Sequence, residues 1–380
     1  MWSSGKRTRL VGVDLVVNAL DAHRPPLSVL DLAIVNADSS SGQALGAATE
    51  VARVADRLGY HRFWVAEHHN MPSVASTSPP VLMAHLAAST ERIRVGSGGI
   101  MLPNHPPLVV AEHIAAIEAL HPGRVDLGIG RAPGTDQRTA AALRRVRELS
   151  VEDFPHDLLD LMGLLGDPRG DGDGGLWRWF RATPAATSHP QILLLGSSDF
   201  SAQLAGVLGL PFVFAHHFGT GGTLPAVAAY RRTFRPSPVL DEPHLIITAN
   251  VIVAPTEEEA QWEAGPGRLM TQGIRTGRFE PLRNPEEAHR RLDPPPAAGG
   301  EPSAERSSGM TTRPNLLAPQ RSGRVVGTAA SAVAELDELV AATEAQELMV
   351  STVAHDLDVR IRSFELLAEA WSSPPGGVGS

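Results

Sequence analysis

A repeated alternation narrows the fold of this chain more than any other feature. From Leu27 onward, short runs rich in β-branched and aromatic residues take turns with stretches of helical periodicity, the pattern of parallel strands joined by crossover helices. The strand candidates are 27–35, 62–69, 93–102, 125–132, 192–198, 212–218, 246–254 and 348–354. Eight such units in succession predict an α/β protein of the closed (β/α)8 TIM-barrel type rather than an open doubly wound sheet. Helical faces fall between the candidates. Leu45, Ala48, Val51, Ala52, Ala55 and Leu58 share one face, Val110, Ile114 and Ile117 another, and Ile361, Phe364, Leu367, Ala368 and Trp371 the last.

Two stretches break the rhythm and predict insertions after the fourth and seventh strands. Residues 148–190, with GDPRGDGDGG at 166–175, read as a helix plus a flexible loop. Residues 281–323 are rich in Pro, Gly, Ser and charge, carry no periodicity, and are expected to be disordered. Their place after the seventh strand puts them at the barrel face that holds active sites, so a lid over substrate and a plain linker are equal readings. The barrel domain is expected at 27–372, between a flexible N-terminal tail at 1–26 and a short C-terminal tail at 373–380.

Composition excludes several functions. The formal charge of −9 and the scatter of 33 Lys and Arg leave no basic stripe, and Arg144, Arg145 and Arg147 read as a solvated helix face, so nucleic acid is not an expected partner. The chain has no cysteine, which removes disulfides, thiolate zinc sites and cysteine nucleophiles and makes the cytoplasm the expected compartment. The basic N-terminus imitates a signal peptide, but Asp14, Asn18 and Asp21 interrupt its apolar part. No apolar run approaches the ~18 residues that cross a bilayer, and no membrane association is expected.

Polar and Gly-rich signals collect at the ends of strand candidates, which a barrel gathers around one opening. The stretch VGSGGIMLPNHPP (95–107) sets Gly98 and Gly99 side by side in a strand pattern, where glycine is unfavourable. A bulge, an unusual peptide geometry or a ligand lying against bare main chain would each explain the pair. In AEHHN (66–70), His68 and His69 are adjacent, so on a strand they point to opposite faces, and no metal site is expected from them. A second pair, His216 and His217, ends the sixth strand in the same way. DLGIGRAPGTD (126–136) has a near-miss of a dinucleotide fingerprint, and Arg131 within it is a fixed cation suited to a phosphate. Gly196, Ser197 and Ser198 end the fifth strand just before a helix, where serines cap helices and free N–H groups bind phosphate.

Taken in order, AEHHN (66–70), VGSGGIMLPNHPPLVVAE (95–112), LHPGRVDLGIGRAPG (120–134), LLLGSS (193–198) and FAHHF (214–218) resemble the bacterial luciferase-like flavin monooxygenases, in their non-luminescent subgroup. The resemblance implies a TIM barrel that binds reduced FMN supplied by a separate NAD(P)H-dependent flavin reductase. Oxygen would then reach a small organic substrate through a C4a-hydroperoxide, with antibiotic biosynthesis among the settings implied, and the protein would be a homodimer. It assigns His68 as acid-base or hydrogen-bonding partner of the oxygenated flavin, Arg131 to the FMN phosphate, and Ser197 and Ser198, after Gly196, to the phosphate loop. It also implies a non-proline cis peptide between Gly98 and Gly99 beneath the isoalloxazine ring. Two departures stand out: Gly130 replaces the reactive cysteine of luciferase, so light emission finds no support, and Gly196 replaces an acidic residue. Relatives that transfer hydride with the deazaflavin F420, or that bind flavin without turnover, remain alternatives on the same barrel.

Overall fold

Ten strands and twelve α-helices appear in the computed structural model among its described residues, which are 24–373 apart from 133, 136, 145–152, 170–174, 186–187, 220 and 293–322. The first half runs β1 (Leu27–Asp31), α1 (Ser41–Leu58), β2 (Arg62–Val65), α2 (Pro79–Ser89), β3 (Arg94–Ser97), β4 (Ile100–Met101), α3 (Pro107–Leu120) and β5 (Val125–Gly130). Next come α4 (Gln137–Arg144), α5 (Phe154–Leu164), β6 (Gln191–Gly196), α6 (Asp199–Leu208), β7 (Phe212–Phe214), α7 (Thr223–Thr233) and β8 (Leu245–Val253). The chain ends with α8 (Glu257–Glu263), α9 (Gly265–Arg275), α10 (Pro285–Leu292), β9 (Arg324–Gly327), α11 (Ala329–Thr343), β10 (Glu347–Ser351) and α12 (Leu357–Ser372).

Eight strands close on themselves in the order β1–β2–β3–β5–β6–β7–β8–β10, all pairs parallel, with β10 returning to β1 through Leu27 opposite Leu348. This is the predicted TIM barrel. Every predicted strand is present, and all but β8 are shorter than their apolar patterns, because residues such as Glu67–His69 and Arg131–Ala132 leave the sheet to form the mouth. The third candidate, 93–102, is split at the diglycine into β3 and the two-residue β4, which pairs with β5. One strand was missed, β9, which extends the sheet beyond β8 and is too short to be seen as a separate apolar run.

Helix α1 shows how local sequence sets an element. Ser40 caps it and exchanges hydrogen bonds with Gln43 in a capping box, and Gly59 ends it at φ +81, a left-handed position that glycine adopts without strain. Its buried stripe centres on Ala44, Ala48, Val51, Ala52 and Ala55, while Leu58, expected on that face, is 38% exposed at the last position of the helix. The predicted faces on α3 and α12 are in place through Val110, Ile114, Ile117, Phe364, Leu367 and Trp371. The stretch 281–323 departs from its expected disorder at its start: Leu282 is buried and pairs with Asn36, and Pro285–Leu292 is helical. Residues 293–322, the tail at 1–23 and residues 374–380 lie outside the described residues.

Inside the barrel the side chains stack in layers. At the N-terminal end Arg62 bridges Asp126 at 2.8 Å and Glu347 at 2.9 Å, with Arg94 on Asp126 at 2.6 Å and the Ser28 hydroxyl donating to Glu347 at 2.5 Å. Above it Leu30, Trp64, Leu193, Val213, Ile246 and Met349 form an apolar layer. The Trp64 indole lies where side chains at Gly96 and Gly128 would otherwise be, and its N–H donates to Asp126 at 3.0 Å. A Cβ on Gly128 would stand 2.1 Å from the Ser97 carbonyl oxygen, a backbone atom that cannot swing away. Gly128→Ala is therefore expected to cost about 1–3 kcal/mol or more in urea unfolding. Gly46→Ala, on open helix surface with nothing within 4 Å, should instead stabilise by about 0.5–1 kcal/mol.

Candidate functional site

The C-terminal rim of the barrel collects the chemistry. Past the end of β2, the fully buried Glu67 carboxylate accepts from the Met101 backbone N–H at 3.0 Å, Asn104 Nδ2 at 3.2 Å, His105 Nε2 at 2.8 Å and His69 Nε2 at 2.9 Å. Burial works to raise its pKa, but the hydrogen bonds from His105, Met101 and His69, with the charge of His105, outweigh it and hold the group below the usual carboxylate range. The ligand-type atoms of Glu67, His69 and His105 lie within 4.8 Å of one another, so they are the one trio of metal-ligating type among the described residues. Their 2.8 and 2.9 Å contacts are charge-assisted hydrogen-bond distances, and the carboxylate's second oxygen is committed to Met101. The trio is read as a clamp tying the β2 end to the segment after the diglycine.

His68 and His69 diverge, as the strand argument expected, although both lie beyond the strand itself. His68 Nδ1 meets the Gly134 carbonyl at 3.3 Å, and because a carbonyl only accepts, this nitrogen carries the proton and Nε2 is left as the acceptor. Burial lowers the pKa of His68, a shift only partly offset by Gly134 and by the charge of Glu67. The ring is half-buried and uncharged at neutral pH.

The Gly98–Gly99 peptide is cis. A Cβ on Gly99 would lie 2.8 Å from the Gly128 carbonyl oxygen, a fixed backbone atom, and one on Gly98 would lie 2.5 Å from Leu30 Cδ1, the end of a side chain that would have to move. Of the three sequence explanations, unusual peptide geometry is thus observed, together with close backbone packing.

Arg131 and the start of α6, separate signals in the sequence, are neighbours. The guanidinium of Arg131 lies 4.2 Å from the centre of the Phe200 ring, and Phe200 is the second residue of α6. Ser197 and Ser198 are exposed at that helix start. Ser198 is the N-cap but makes no capping bond, in contrast to Ser40, Thr256 and Thr328, so the first N–H groups of α6 are uncapped by it. Asp199 in the first turn already answers part of the helix dipole. Gly196 is required by packing, since a Cβ there would sit 2.3 Å from Ser201 Cβ.

The sequence model of the family described as luciferase-like monooxygenase matches residues 26–346. The chain belongs to the luciferase-like monooxygenases. It is 38% identical over 339 residues to a luciferase-like monooxygenase of Escherichia coli (strain K12), covering 89% of this chain and 95% of the relative. It is 31% identical over 345 residues to N-acetyl-S-alkylcysteine monooxygenase of Bacillus subtilis (strain 168), covering 90% and 97%. Among solved structures, that of apo-MsnO8 superposes with a TM-score of 0.79 at 38% identity, covering 92% of this chain and all 100% of that one. In this luciferase-like monooxygenase the parallel strands of the barrel bring His68, Gly98, Gly99, Arg131, Gly196, Ser197 and Ser198 to its C-terminal end.

Sequence reasoning missed Glu67 as a hub and gave no role to His105, although both stood inside quoted motifs. The signal was present in the polar Asn104-His105 pair a few residues after the glycines, but only folding brings it to Glu67. No helix among the described residues is long and apolar enough to cross a membrane.

Proposed function

We propose that this luciferase-like monooxygenase uses reduced FMN and O₂ to oxygenate a small organic substrate at the C-terminal mouth of the barrel. The observation that carries the reading is the contact of Arg131 with Phe200, which places a cation beside the α6 N-terminus, the pair of features a flavin phosphate needs. No described carboxylate pairs with Arg131, and Ser198 leaves its capping position open, so the donor set present fits a phosphate. Gly98 and Gly99 present main chain without side chains at the same end, in keeping with a flat ring system lying against them.

When bound, reduced FMN supplies the electrons that activate O₂. The chain's own residues do the rest. Arg131, Ser197, Ser198 and the first turn of α6 would hold the phosphate. Gly98 and Gly99 would lie beneath the ring system, and Glu67 fixes the segment that follows them through Met101. His68 keeps its proton on Nδ1 against Gly134 and offers Nε2 as an acceptor toward the reacting groups. Its lowered pKa keeps it uncharged at working pH, so it takes a proton rather than repelling one. The same reading includes a separate flavin reductase as the source of reduced FMN, and a homodimer working in the cytoplasm.

His68→Ala is expected to raise the rate of H₂O₂ release from reduced FMN in air about 10-fold or more while leaving FMN affinity within twofold, measured by peroxide assay and by flavin fluorescence titration. Loss of FMN affinity with unchanged peroxide release would make His68 a binding residue instead. Turnover with F420 and no reaction of reduced FMN would replace the monooxygenase reading by hydride transfer, and bound flavin without either activity would make the protein a silent flavin binder.

A further inference from the structure

The second histidine pair has no part in the function described so far, and its environment is unlike that of a surface histidine. His217 lies three residues past the end of β7, as His68 lies three past the end of β2. In the ring β1–β2–β3–β5–β6–β7–β8–β10, β2 and β7 are four strands apart in either direction, so the two rings stand on opposite sides of the mouth. His217 is held from β8: its Nδ1 lies 2.5 Å from Thr248 Oγ1, and Asn250 Nδ2 donates to its carbonyl at 3.1 Å. Thr248 lies two residues beyond Ile246, a member of the interior apolar layer, and so on the face that lines the barrel.

The hydrogen-bond chain fixes the tautomer. The Thr248 hydroxyl has one proton, and it donates that proton to the Phe214 carbonyl at 3.1 Å. Toward His217 the hydroxyl can then only accept, so Nδ1 carries the hydrogen and Nε2 keeps its lone pair. His216 is turned aside, with its Nδ1 on Thr223 Oγ1 at 2.8 Å.

We propose that His217 is a specificity-determining residue of the site, a fixed hydrogen-bond acceptor opposite His68 that selects substrates carrying an O–H or N–H donor. The proposal rests on the mouth being the substrate site, as in the function proposed above. Burial, with the neighbouring His216 and His68, pushes the pKa of His217 down to about 4, so the lone pair stays free through the whole working range. His68 is lowered by burial as well, yet Gly134 and Glu67 favour its charged form, while no group among the described residues does so for His217. Two histidines thus take two roles: one that can accept and return a proton, and one that only accepts a hydrogen bond. A site with a committed acceptor discriminates against an analogue that lacks the donor, because the acceptor is then left buried and unpaired.

The test uses the full chain labelled with ¹⁵N-histidine and the probe pair phenol and anisole, which differ by one O–H donor. Long-range ¹H–¹⁵N spectra from pH 8 to pH 5.5 should show His217 as a neutral Nδ1–H ring, changing to Nε2–H in Thr248→Val. Calorimetric titration, with and without bound FMN, should show phenol binding tighter than anisole by on the order of 10-fold. The preference should vanish in His217→Phe and in Thr248→Val and persist in Thr248→Ser. An Nε2–H ring in the unmodified protein, equal affinities for the two probes, or a preference that survives both His217→Phe and Thr248→Val would overturn the proposal. Failure of FMN to bind would overturn the flavin reading and leave the tautomer and the probe preference of the unloaded protein standing as measured.

Discussion

Arg62→Met is expected to lower the free energy of unfolding by about 3–5 kcal/mol, because it strips a buried cation from two buried carboxylates. Arg62, Asp126 and Glu347 have side-chain exposures of 4%, 0% and 1%, so water cannot replace what the guanidinium supplies. Arg94 and the Trp64 indole still reach Asp126. Glu347 would keep the Ser28 hydroxyl at 2.5 Å, His244 at 3.8 Å and the more distant influence of His61. The pH dependence carries a sign that identifies the cause. In the unmodified protein burial opposes the Glu347 charge, but His244, Arg62 and Ser28 outweigh it and depress its pKa, so its contribution is present above the unfolded value of ~4.3 and is lost as pH falls. Without Arg62 burial dominates and the folded pKa rises above the unfolded one. The variant's deficit is then largest at pH 8 and narrows toward pH 5, as urea unfolding at the two values would show. A deficit independent of pH would mean that lost packing, not an abandoned charge, is responsible.

Arg131→Ala should weaken FMN binding by about 10- to 100-fold, the range that corresponds to charge-assisted hydrogen bonds of about 1.5–3 kcal/mol. Riboflavin, which lacks the phosphate, should bind the variant and the unmodified protein alike. Arg131→Lys should recover only part of the loss, since an ammonium keeps the charge but neither forks onto two phosphate oxygens nor stacks on Phe200 as the planar group does. Because the arginine sits on the rim and its side chain rests on a half-exposed ring, the substitution should leave the unfolding midpoint nearly unchanged. An equal loss of riboflavin affinity would place Arg131 elsewhere than at the phosphate.

Those two arginines also mark what could and could not be read from the sequence. The alternation from Leu27 to Trp371 carries the barrel because each strand-helix unit is local, and the rule that barrel sites sit at strand C-termini converts eight strand ends into one place. His68, the diglycine and Arg131 were legible for that reason: each stands at a strand end and is chemically conspicuous there. Arg62, Asp126 and Glu347 were not, since an arginine opening a strand and a carboxylate 285 residues later carry no local sign that they meet. Glu67, His105 and His217 lay within recognised motifs, yet their roles depend on partners from other strands, namely Met101 and Thr248. The short strand β9 and the helix at Pro285–Leu292 escaped because tertiary pairing, not periodicity, defines them.

The central claim is that the barrel mouth takes reduced FMN through its phosphate. Anaerobic titration of the unmodified protein with reduced FMN, reduced riboflavin and reduced F420 puts that claim to its most direct test. Reduced FMN should bind at least about 10-fold more tightly than reduced riboflavin, and F420 should not compete with it. Equal affinities for FMN and riboflavin, or displacement of FMN by F420 at comparable concentration, would contradict the account.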